Sequence, residues 1–234
     1  MKKLKRFFIA VLLLPACYGV TLGVWSLLSG FKNVPEGSFY FFAGVLSYFA
    51  FQWVFFRPIR TYVFGHELSH AIAAWMSGAD VKRFHVSKKG GSVSVSKSNI
   101  FIALAPYILP LYALLVMAVY YSGCYFYPGL RTHGLVFLWL LGASLGFHMA
   151  LTAYALMMDQ PDLKAAGKFL SAVIIYLGNT ISIVFLLGML FPRTVSWGHF
   201  ARVSGSQTFA AVKEIGKGTQ IVWKEAVGVP HKRD

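Results

Sequence analysis

Acidic residues are scarce in this chain: 8 Asp and Glu stand against 22 Lys and Arg, and charged residues fill only 13% of the 234 positions. A soluble domain carries about 25% charged residues, so an ordinary water-facing surface is excluded and lipid is the expected solvent. Cysteine is rarer still. Cys17 and Cys124 stand alone, which rules out a disulfide framework and a cysteine-built zinc site. No internal repeat and no low-complexity tract is present, and the length leaves little room for a soluble domain beside several spans. The basic excess is spread over the termini and the connections, without one continuous face carrying interleaved aromatics. It therefore reads as a topology signal and an attraction to anionic lipid headgroups, and nucleic acid is not an expected partner.

What fills the chain instead is apolar: 57% of residues are hydrophobic. Six segments stand out, Phe7 to Leu28, Phe39 to Phe56, Ile59 to Met76, Ile100 to Tyr121, Leu135 to Met158 and Phe169 to Phe191. Each approaches the ~20 residues a helix needs to cross the hydrocarbon core. The fold expected is an all-α polytopic membrane bundle of about six transmembrane helices over residues 1–191. The opening apolar run outlasts the ~7–15 residues of a signal-peptide core, which predicts an uncleaved first span. Residues 192–234 are less apolar and basic, and read either as an amphipathic helix on the membrane surface or as a partly disordered tail.

Between Gly78 and Asn99 the pattern changes. Val and Ser alternate over Val93, Ser94, Val95 and Ser96 after Lys89-Gly90-Gly91, and period-two alternation behind a glycine turn predicts a short β-hairpin. The MKKLKR start argues for a cytoplasmic amino terminus. Six full spans would then put the lysine-rich hairpin outside, whereas one broken element hinged at Arg57-Pro58 would return it to the cytoplasm, and charge alone leaves both open.

The third segment carries the chemistry. It reads TYVFGHELSHAIAAWMSG, and a purely structural span would avoid Arg60, His66, Glu67 and His70 because a charge costs at least ~2.5 kcal/mol at the bilayer centre. His66 and His70 fall four residues apart, one turn of a helix, where both imidazoles can share one metal ion. Glu67 is placed to take a proton from water at that ion. This is the HExxH pattern of zinc hydrolases, and one zinc ion is the cofactor expected.

A catalytic zinc takes three protein ligands and leaves a fourth position open. Acidic residues near other spans are few. Asp159 and Asp162 close the fifth segment in MMDQPDLKAAG, where Pro161 breaks the helix and lets a carboxylate bend back toward the bundle. Asp162 is the expected third ligand and Asp159 its reserve. His148, in LGFHMALTAY, and Asn179, in the sixth segment, either line the cavity or bond neighbouring helices together. Pro106 and Pro110 in ALAPYILPLY weaken the fourth helix.

The HELSH helix, the Gly-rich strand-like segment, the following apolar span and the late aspartate beside a proline resemble the site-2 protease family of intramembrane zinc metallopeptidases. The resemblance runs from about Thr61 to Leu190 and is specific at the HExxH helix. It implies His66, His70 and Asp162 as zinc ligands, Glu67 as general base, and a membrane protein or peptide as substrate. The usual signature around the third ligand, an Asp followed by Gly and preceded by Asn and Pro, is absent as a whole, and Leu163 follows Asp162. The function expected is hydrolysis of peptide bonds within or near the membrane, with Val93 and Val95 of the hairpin holding the unwound substrate strand by edge pairing. A catalytically silent member that binds a membrane partner is the first alternative and a transporter the second. The basic start points to a bacterial inner membrane.

Overall fold

The computed structural model describes residues 2–29, 36–55, 58–87, 90–158 and 160–226. Nearly all of it is helix, because each apolar segment can satisfy its backbone only within itself when lipid offers no hydrogen bonds. The chain runs α1 (Lys2–Ser29), α2 (Glu36–Val54), α3 (Ile59–Met76), β1 (Val81–Ser87), β2 (Gly90–Val95), α4 (Ile100–Ile108), α5 (Leu111–Phe126), a 3₁₀ turn (Pro128–His133), α6 (Gly134–Met157), α7 (Pro161–Ala166), α8 (Lys168–Leu190) and α9 (Trp197–Ala226). β1 and β2 form the expected antiparallel hairpin, with Phe84 opposite Val93.

The expected count of six spans is not confirmed. Among the described residues, three helices are long and apolar enough to cross a membrane, within Lys3–Ser29, Pro128–Met157 and Lys168–Leu190, and a fourth is added if α4 and α5, bent by 66°, make one broken span. The two segments that fall short carry polar groups. In α3 these are Arg60, His66, Glu67 and His70; in α2 they are Glu36, Ser38, Tyr40, Ser47, Tyr48 and Gln52. The break between α4 and α5 sits at Leu109-Pro110, where Leu111 N–H turns to the carbonyl of Leu109 at 2.8 Å.

Glycine sets which helices touch. Gly142 and Gly146 of α6 lie one turn apart, and a Cβ on Gly142 would run into the backbone carbonyl of Phe41 on α2. Small residues at this spacing let two backbones approach closely enough for dispersion to hold them in lipid. α1 repeats the device: Gly19 and Gly23 meet Ser204 and Thr208 of α9. Within the stretch after Pro192, expected as a surface helix or a tail, Trp197–Ala226 form a helix whose first half lies antiparallel along α1, with Ser26 bonded to His199 at 2.7 Å.

α1 and α8 run parallel. Phe7 packs on Phe169 near one end, with ring centres 5.8 Å apart, and Thr21 meets the Tyr176 hydroxyl further along at 2.6 Å. The starts of α1 and α8 thus share one end of the bundle. α7, which leads into α8, faces the hairpin residues Gly90 to Val93 across a cavity, so the hairpin lies toward that same basic end. Arg57, part of the hinge considered above, lies outside the described residues.

Candidate metal centre

α3 forms where the sequence places it, and its turn brings the His66 and His70 rings to 4.8 Å between centres. The small residues Gly65, Ser69, Ala71, Ala73 and Ala74 bury the rest of that face against its neighbours, which leaves the two imidazoles nowhere to turn but the cavity. Glu67 is buried beside them.

Asp162 arrives from the other side. Pro161 opens α7, a position that needs no N–H, and Leu163 and Ala166 anchor the short helix on Leu104, Tyr107, Ala155 and Ile175. With that face fixed, the carboxylate turns into the cavity. Its Oδ2 lies 3.3 Å from His66 Nε2 and 3.4 Å from His70 Nε2, and it accepts a bond from the Tyr107 hydroxyl at 3.3 Å.

These distances test whether the residues fit a metal. A tetrahedral ion with bonds of about 2.1 Å to nitrogen and oxygen holds its ligand atoms roughly 3.4 Å apart, and both separations from Asp162 agree. The set of two imidazoles and one carboxylate suits zinc and leaves a coordination position free. Among the described residues, His66, His70 and Asp162 are the group whose ligand atoms converge in this way, all within 4.8 Å of one another.

The ring of His70 is fixed from behind. A carbonyl oxygen only accepts, so His70 Nδ1–H donates to the carbonyl of Ile102, at 2.7 Å, which leaves the Nε2 lone pair facing Asp162. That carbonyl is available because Pro106, four residues on, lacks the N–H that would take it in a helix. His66 Nδ1 has no such partner among the described residues.

The hairpin closes the site over Glu67. A Cβ on Gly91 would lie 2.6 Å from Glu67 Cγ and 2.9 Å from its Oε1, so only glycine allows β2 this close. The Val93 backbone N–H donates to the Glu67 carboxylate. The resulting cavity is about 520 Å³ and is lined by Tyr62, His66, Glu67 and His70 from α3, by Gly91, Val93 and Val95 from β2, and by Asp162.

Not every expected residue is here. His148 and Asn179 lie outside the cavity lining and bond each other, His148 Nε2–H donating to Asn179 Oδ1 at 3.0 Å. Asn179 Nδ2 in turn donates to the carbonyls of Tyr107 at 2.6 Å and Ile175 at 2.9 Å. Asp159 lies outside the described residues. Sequence reasoning missed Tyr62 and Tyr107; the signal available for Tyr107 was its place between Pro106 and Pro110.

A family model described as Peptidase M50B-like matches residues 39–197. No curated protein and no solved structure matches the chain.

Proposed function

The chain belongs to the M50B-like peptidases, the site-2 protease family of membrane metallopeptidases, and we propose that it hydrolyses peptide bonds in membrane-embedded or membrane-adjacent proteins. The observation that carries this reading is the convergence of His66, His70 and Asp162 beside the buried carboxylate of Glu67. His66, His70 and Asp162 would hold one zinc ion. That ion supplies Lewis acidity, polarising a carbonyl and bringing the pKa of water down to ~7.

The remaining roles belong to side chains and backbone. Glu67 accepts the proton of the attacking water and passes it to the leaving amine; one carboxylate at one place serves both transfers. Tyr107, through its hydroxyl, holds Asp162 in position. Val93 N–H steadies Glu67 until substrate enters.

A transmembrane substrate hides its peptide carbonyls inside its own helix, so it must unwind to be cut. β2 supports capture of the unwound strand: one edge pairs with β1, and Gly91, Val93 and Val95 border the cavity. Edge pairing gives affinity through backbone bonds and leaves alternate side chains to set preference. The basic end fits the cytoplasmic side of a bacterial inner membrane.

The test is Glu67→Gln in the full chain. One zinc per chain should remain bound while cleavage of a membrane substrate falls by ~10²–10⁴. Wild-type protein without bound metal, or a variant that still cuts at the normal rate, overturns the proposal. Val93→Pro tests the hairpin: zinc stays and cleavage slows, and unchanged turnover removes β2 from substrate binding.

A further inference from the structure

The cavity of about 520 Å³ carries its chemistry on four side chains, His66, Glu67, His70 and Asp162. The rest of its wall is uncharged: no lysine, no arginine and no further carboxylate lines it among the described residues. Two of the wall residues are alanines whose places are tied to the metal centre by the chain itself. Ala103 follows Ile102, whose carbonyl takes the Nδ1–H of His70 at 2.7 Å. Ala165 stands three residues after Asp162 on α7, one turn on and on the same face. α4 and α7 pack together through Leu104, Tyr107, Leu163 and Ala166. The alanine directly before Leu104 and the one directly before Ala166 are what the joined helices present to the cavity.

Size and charge at these two positions decide what fits. An extended peptide held along β2 turns successive side chains to opposite faces. Of the two residues that flank the scissile bond, one therefore faces the wall formed by Ala103 and Ala165 and the other faces away. A lone methyl group at each position leaves width for a branched apolar side chain, width that larger residues would fill themselves. A carboxylate at the inward position would be desolvated with no basic side chain to pair with. The room is also kept open from the side of the hairpin. Val63, one turn before Glu67, has its Cγ1 2.7 Å from where a Cβ on Gly91 would lie, so β2 already rests on α3 and cannot settle deeper.

We propose that Ala103 and Ala165 are specificity-determining residues of this site, admitting a branched apolar side chain such as Leu at one position flanking the scissile bond and excluding a charged one. The assignment rests on the peptidase reading above and adds to it the class of segment that is cut, an apolar stretch with no charge at the inward position.

The test uses the zinc-loaded full chain in detergent with two readouts. The first is the dissociation constant of peptidyl hydroxamates, which chelate zinc, with Leu, Ala or Asp placed directly before or directly after the chelating group. The second is kcat/KM for a reporter with one apolar span of Leu and Ala, its cleavage site mapped by mass spectrometry and each flanking residue then set to Leu, Ala or Asp. At one of the two positions Leu should exceed Ala by at least about tenfold and Asp by at least about 100-fold, with the other position nearly indifferent. Ala103→Leu and, separately, Ala165→Leu should bring Leu down to the level of Ala or below it while one zinc per chain stays bound. Ala103 is buried; if its variant fails to fold, Ala165→Leu, at an exposed position, decides alone. Indifference at both positions, acceptance of Asp at both, or an unaltered Leu preference in the folded variants overturns the pocket and leaves the peptidase reading standing. Hydroxamates bound with the Leu preference by a chain that leaves the reporter intact uphold the pocket and count against the peptidase reading. A chain that neither binds the hydroxamates nor cuts the reporter overturns both.

Discussion

His70 donates through Nδ1 to the carbonyl of Ile102, at 2.7 Å, and Pro106 is what leaves that carbonyl free. A proline usually enters such an account as a helix breaker. Here the missing N–H creates an acceptor inside lipid, and the acceptor fixes the ring of an imidazole that lines the candidate metal site.

Replacing Pro106 by Ala restores a donor that competes with His70 for Ile102. α4 should become a more regular helix, while zinc affinity falls by about 10–100-fold, the usual cost of losing a partner behind a ligand. Competition against a chelator of known affinity measures it. Undiminished affinity would mean that His70 is oriented by Asp162 alone.

Gly91→Ala places a methyl group against Glu67 Cγ, Glu67 Oε1 and, at 2.7 Å, Val63 Cγ1. None of these atoms can retreat far, since Val63 and Glu67 sit on the same helix face. The strand or the carboxylate must move, and cleavage should drop at least about tenfold as the proton acceptor leaves its position. Zinc should be retained, because the three ligands are untouched. Metal content and turnover, measured on the same preparation, separate this outcome from general collapse.

The parts of this architecture that were legible in advance are those with a local signal. HExxH sets the mutual placement of His66, Glu67 and His70 by helical spacing alone, and α3 spans the expected Ile59–Met76. The hairpin followed from alternation behind a glycine pair. Asp162 followed from scarcity, since few acidic residues lie near the spans. What was not legible depends on which helices become neighbours. Nothing near Asn179 reveals that the Tyr107 carbonyl, freed by the Pro110 break, will lie 2.6 Å away across the bundle. Nothing in residues 192–234 reveals that Ser204 and Thr208 match the glycines of α1, and the lower hydrophobicity there left a surface helix and a tail both open.

Asn179→Leu tests the interhelical role. The side chain makes three hydrogen bonds, to His148, Tyr107 and Ile175. Bonds of this kind average ~0.6 kcal/mol in a membrane protein, so their loss together should cost about 2 kcal/mol of resistance to denaturing detergent. Zinc binding should stay within a few-fold of wild type. A variant that is stable yet inactive would instead return Asn179 to the substrate cavity.

The pairing of α2 with α6 can be tested by a contrast between two glycines. At Gly142 an added methyl meets the Phe41 carbonyl, and Val45 N lies only 3.1 Å away, so Gly142→Ala must push two helices apart. Overpacking of this kind costs ~1–3 kcal/mol. Gly205 of α9 has nothing within 4 Å of the same methyl, and there Gly→Ala should be neutral or stabilising by up to ~1 kcal/mol through helix propensity. Unfolding in a graded detergent series measures both. If the two substitutions cost the same, close backbone approach is not what holds α2 to α6, and the glycine spacing in α6 loses its explanation.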